Sequence, residues 1–155
     1  MEKEEIDFLK EKEELYGGHI TFRSFATWFA SSKGVIRDHG VIIYRIDDTF
    51  HYEDFKHRNS ILGFTLPESK SEKEHPYVKY ESSFRASSIL EIRTVKQSAA
   101  RLAAEAESSV PAKKAGTLAK IFSKLVTAVI LANGEVLYME LINPKGLAAS
   151  ARSKA

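Results

Sequence analysis

The sequence predicts an α+β protein: a single bent antiparallel sheet, or partly open barrel, capped by a C-terminal helix. Three stretches predict it. Apolar residues recur with a period of two across 19–55, interrupted by short polar turns. Asn133-Gly134 sits between the hydrophobic runs "LVTAVILA" and "VLYMEL", the pattern of a closing hairpin. Asn143-Pro144 then opens an alanine-rich segment, with asparagine as N-cap and proline at the first helical position.

Taken in order, residues 2–15 predict a charged helix with a narrow apolar stripe of Ile6, Phe8, Leu9 and Leu15, stopped by Gly17-Gly18. "HITFRSFATWFAS" predicts a strand with a bend or bulge near Ala26. "SSKG" is a turn, "VIR" a short strand and "DHG" a second turn. "VIIYRI" is a dense strand, and "TFHYEDF" alternates Phe50 and Tyr52 against His51 and Glu53. "ILGFTLP" and "PYVKYE" predict further strands around an exposed polar loop at 68–75, and "SSILEIRTV" follows as another strand. "KQSAARLAAEAE" predicts a helix, 108–117 a break, and "LAKIFSKL" an amphipathic helix striped by Leu118, Ile121, Phe122 and Leu125. Two units result: a helical lead-in at 1–16 and a β-rich domain at 17–155 with a helical insertion at about 96–124.

A chain of 155 residues with 43 % apolar and 28 % charged residues is long enough to bury a core. It contains no cysteine, so disulfides, thiolate metal sites and a cysteine nucleophile are excluded. The N-terminus is acidic and lacks an apolar run of secretory type, and the longest apolar run is "LVTAVILA", too short to span a bilayer. A soluble, cytoplasmic protein without a transmembrane segment is expected. The formal charge of +2 is unevenly spread: residues 1–14 carry three lysines against seven acids, and 110–155 carry seven basic residues against two acids. The basic end is too modest to predict nucleic-acid binding, for which Phe22-Arg23 and Trp28-Phe29 come nearest.

Candidate chemistry concentrates in "DDTFHYEDFKHR", residues 47–58. On a strand, His51 and Glu53 share a face, and His57 is placed to join them as a two-histidine, one-carboxylate metal set. Glu53 or Asp54 with His51 supplies an acid/base pair if a pocket shifts their pKa values. The simpler expectation is a solvated polar face with Asp47-Asp48 in a turn. No P-loop, dinucleotide fingerprint or G-x-S-x-G is present, and no cofactor is expected. Lys113, Lys114, Lys120 and Lys124 surround the amphipathic stripe. The stripe is expected to join the core with the lysines in water; the alternative is that the segment lies on an anionic membrane or a partner. Lys33, Arg37 and Arg45 lie around early turns and suggest a second anion-binding patch.

The meander, the last hairpin strand and the helix opening at "NPKGLAA" resemble the pleckstrin-homology-like architecture. "GVIIYRIDDTFHYEDF" is similar to the strand–turn–strand portion of bacterial PH-like and GRAM-like domains. The resemblance implies that the last helix plugs one end of a bent sheet, with Leu147, Ala148 and Ala151 covering the core. It also implies a non-enzymatic binding scaffold engaging a protein partner, itself, or an anionic surface such as lipid. No catalytic residue carries over. The insertion at 96–124, where a short loop belongs, is a departure. Lys113, Lys114, Lys120 and Lys124 are the expected contact, with the acidic N-terminal helix as a second one that pairs with them in a neighbouring subunit.

Overall fold

In this computed structural model, residues 3–38, 40–55, 60–61, 64–65 and 79–153 are described. Helix α1 (Lys3–Tyr16) leads into β1 (Ile20–Ser31), β2 (Val35–Arg37), β3 (Val41–Ile46) and β4 (Thr49–Asp54). A two-stranded ribbon of β5 (Ser60–Ile61) and β6 (Phe64–Thr65) stands apart from the main sheet. Then come β7 (Glu81–Arg85), a 3-10 turn (Ala86–Ser88) and β8 (Ile89–Lys96). The insertion contributes α2 (Gln97–Glu105) and α3 (Thr117–Phe122), and the chain ends with β9 (Leu125–Leu131), β10 (Val136–Leu141) and α4 (Pro144–Arg152).

The main sheet has eight strands in the order β7-β4-β3-β1-β10-β9-β8, with β2 also pairing on β1, and all its pairings are antiparallel. It is open, yet it must curl. A flat path from β7 to β8 crosses six strand spacings, roughly 29 Å. The 3-10 turn joining those two edges spans at most about 14 Å. That turn is tied to both halves of the sheet: the Ala86 amide donates to the Asp48 carbonyl, and the Ala132 amide donates to the Ser88 carbonyl.

Curling creates an inner face and an outer one. The inner core gathers Phe22, Phe29, Ile43, Phe50, Leu137 and Met139, with Leu147 of α4 packed among them. The bend expected near Ala26 is a register shift between Ala26 and Phe29. It places two residues of odd spacing on the same inner face, while Trp28 and Ala30 turn outward. The outer face is covered twice: by α1, whose Phe8 and Leu9 meet Ile42, Tyr44 and Ile46, and by α2, whose Ala100 and Ala104 pack near Trp28 and Tyr138. Strand β3 is therefore buried at every position.

The Asn-Gly hairpin is present with a different turn. Gly134 has φ +91°, its amide donates to the Leu131 carbonyl, and the Leu131 amide donates to the Glu135 carbonyl. Asn133 is not in the left-handed region and instead accepts from the Glu135 amide. This is a turn closed by a glycine bulge rather than the type I′ turn that requires both central residues at positive φ. At α4, Asn143 caps the helix by accepting from the Gly146 amide at 3.0 Å.

Candidate functional site

Strand β4 places His51 and Glu53 on its outer face, as the alternation predicts, but that face is not solvated. Helix α1 lies over it. Glu53 is 2 % exposed and accepts from Tyr44 Oη at 3.0 Å and Lys79 Nζ at 2.7 Å, with Lys12 Nζ at 3.0 Å. Burial works to raise the Glu53 carboxyl, and the bonds from Lys79, Lys12 and Tyr44 outweigh it, leaving the carboxyl below the ordinary carboxylate value. His51 is stacked between Tyr16 and Tyr44, with ring centroids at 4.1 Å and 5.3 Å. Burial lowers its pKa, with Lys12 acting in the same direction against Glu53. Burial, then the neighbouring Glu53, pushes the Tyr44 phenol well above its usual range.

These groups dock a helix. The His51 ring stacks on Tyr16 and on Tyr44, and the Glu53 oxygens are engaged by two ammonium groups and a phenol. No group of three potential metal ligands occurs among the described residues, and His57 lies outside them. The expectation of a solvated face thus fails at Glu53, because α1 brings a lysine to neutralise it. Asp54 is buried as well, accepting from the Tyr80 amide at 3.0 Å.

The second anion patch is also corrected. Arg45 is 1 % exposed and faces inward, where Nε donates to the Asp47 carbonyl at 2.7 Å, Nη1 to the Ser150 carbonyl and Nη2 to the Ser153 carbonyl at 3.1 Å. It fastens the C-terminal end of α4 to the sheet. Arg37 lies 3.8 Å from Asp54 and Lys33 lies 3.8 Å from Glu135. Phe22, Trp28 and Phe29 are core residues, so the nearest approach to an aromatic nucleic-acid platform is buried.

The insertion behaves differently. Strands β8 and β9 pair antiparallel down to Lys96 and Leu125, and the Gln97 amide donates to the Lys124 carbonyl. Residues 97–124 are therefore an excursion from a hairpin that is already closed. Helix α2 has a structural reason, since it covers the outer face. Helix α3 buries only Ala119, while Leu118, Ile121 and Phe122 are 72 %, 67 % and 80 % exposed. The expectation that this stripe joins the core is overturned. The outer face opposite β9 is already covered by α2, and the stripe breaks at Ser123, where the backbone turns extended into β9. Leu102 and Val110 are exposed too, so the insertion holds five of the ten exposed large apolar side chains among the described residues. Apolar side chains are thus concentrated at the surface of this segment.

No known family model matches the chain, and no curated protein or solved structure matches it.

The four predicted lysines divide into two kinds. Lys114 Nζ lies 3.7 Å from Glu91 and Lys124 Nζ lies 3.2 Å from Glu140. Lys113 and Lys120 have no acidic partner among the described residues. Lys96, which sequence reasoning did not single out, lies on the same side as Lys113 and lines a groove with it. Its only sequence signal is its place at the junction of a strand and the inserted helix.

Proposed function

We propose that the protein is a non-enzymatic, cytoplasmic binding domain that docks on anionic membrane surfaces through residues 113–124. One observation carries this: Leu118, Ile121 and Phe122 stand in solvent within a stretch, 110–124, that holds four lysines and no acidic residue. A lysine near an anionic leaflet contributes about 1 kcal/mol, and apolar tips add the area they remove from water. A protein interface of ordinary size needs about 800 Å² per partner around an apolar centre, far more than one short helix provides. A protruding apolar tip with lysines beside it suits the bilayer interface. The pleckstrin-homology-like reading is supported by the curled meander, the closing hairpin and the C-terminal helix, and it favours a binding scaffold.

The test is co-sedimentation with vesicles of phosphatidylcholine, with and without phosphatidylglycerol. The expected result is binding to the anionic vesicles alone, falling with salt and lost in Phe122→Asp. Equal binding to both vesicles, or none, overturns the proposal. Self-association that Phe122→Asp abolishes, without vesicle binding, assigns the face to a second copy of the chain.

A further inference from the structure

Beside α3 lies a groove of about 640 Å³, within the size range of small-molecule sites. Its walls are Ala99 of α2 and Leu118 and Ala119 of α3, with Ala115 between them and Lys96 and Lys113 also lining it. The segment between the helices is held in place: Lys114 forms an isolated bridge with Val95, the Ala115 amide donates to the Thr94 carbonyl at 2.8 Å, and the Ala112 amide donates to Tyr138 Oη at 3.1 Å. Arg93 pairs with Glu91 at 2.8 Å and donates to the Ala112 carbonyl at 3.2 Å. The groove is thus preformed by backbone bonds. Its walls are apolar, and its charged lining is wholly cationic.

Resting on the membrane reading above, we infer that the groove receives one acyl chain of an anionic glycerophospholipid, whose phosphate meets Lys96 and Lys113. The apolar walls take the hydrocarbon. The two lysines, without acidic partners among the described residues, supply the charge complement. The protein then holds a single lipid molecule in addition to resting on the surface.

The test uses the full chain and a soluble probe, dihexanoyl phosphatidylglycerol below its micelle concentration, followed by calorimetric titration. One saturable site per chain is expected, with no binding of dihexanoyl phosphatidylcholine and roughly five-fold weaker binding for each of Lys96→Gln and Lys113→Gln. Gly116→Leu fills the groove without backbone strain, since Gly116 has φ −79° and a Cβ there meets nothing within 4 Å. It is expected to abolish probe binding while leaving the melting temperature unchanged; Ala99→Trp is the second blocking variant. A wild-type chain that does not bind the probe, or binding that survives both variants, overturns the inference. Vesicle binding in the same preparations separates the two proposals: if it persists while the probe fails, only the groove is refuted, and if it is absent, the membrane reading itself is refuted.

Discussion

Arg45 and Glu53 are the two residues whose burial most changes their meaning. Arg45→Met removes the buried guanidinium that donates to the Asp47, Ser150 and Ser153 carbonyls, each charge-assisted hydrogen bond contributing about 1.5–3 kcal/mol at most because the acceptors are only partly buried. The expected readout is a lower denaturant midpoint, with faster amide exchange in α4 before the rest of the chain. Lysine does not rescue it, because an ammonium lacks the planar fork. Glu53→Gln leaves Lys12 nearly buried without its counter-charge and costs about 3 kcal/mol, whereas Lys12→Met costs less because Lys79 and Tyr44 still satisfy Glu53. Denaturation of the two variants in parallel checks the order. Acid acts on this cluster with one sign. The folded His51 binds a proton less readily than at its ordinary value of 6.5, so the unfolded chain takes up the proton first and stability falls as pH drops below 6.5. Glu53, held below its ordinary value of 4.5, contributes stability that is present above that value and lost as pH falls through its lower folded value. His51→Phe, which keeps a ring between Tyr16 and Tyr44, is expected to flatten the first slope and leave the second. Urea midpoints measured across pH check this.

At the scale of elements, two apolar helix residues carry opposite predictions. Leu147 of α4 is fully buried in the inner core, and Leu147→Ala is expected to cost about 2–5 kcal/mol. Phe122→Ser in α3 is expected to change stability by less than about 0.5 kcal/mol despite the larger side chain, because that side chain is 80 % exposed. Thermal melts of the two variants make the comparison. The α4 start was legible in Asn143-Pro144, and the β1 bulge in the break of alternation around Ala26, because caps and bulges are written in adjacent residues. The fate of the 118–122 stripe was not legible. Its periodicity says that one face is apolar, but which element already covers the sheet depends on α2, whose alanines reach Trp28 and Tyr138 from the far side. Glu53 was opaque for the same reason: Lys12 and Lys79 flank it from distant parts of the chain, and no local pattern joins them.

For the whole molecule, alternation and turn residues foretold an antiparallel sheet ending in a hairpin and a helix, and the sheet is that. The bent, open form was foretold too, but not its cause: at the β7–β8 junction three residues of 3-10 turn replace pairing between edges. Nor did they separate the insertion's two tasks. Helix α2 belongs to the core, while α3 and its groove face outward, and among the described residues no helix is long and apolar enough to cross a membrane.

The register of β1 has a further consequence. One side of its second half pairs with β10, Ala30 against Tyr138 and Ser31 against Leu137. The central strand therefore waits for β10 to be synthesised. While a ribosome still holds the C-terminal part, the core around Phe22, Phe29, Ile43 and Phe50 lacks Val129, Leu131, Leu137, Met139 and Leu147. The long closure that joins β1 to β10 makes the contact order high and the folding step slow. The nascent chain is thus exposed to chaperones and to aggregation until the final hairpin emerges and α4 seats Leu147.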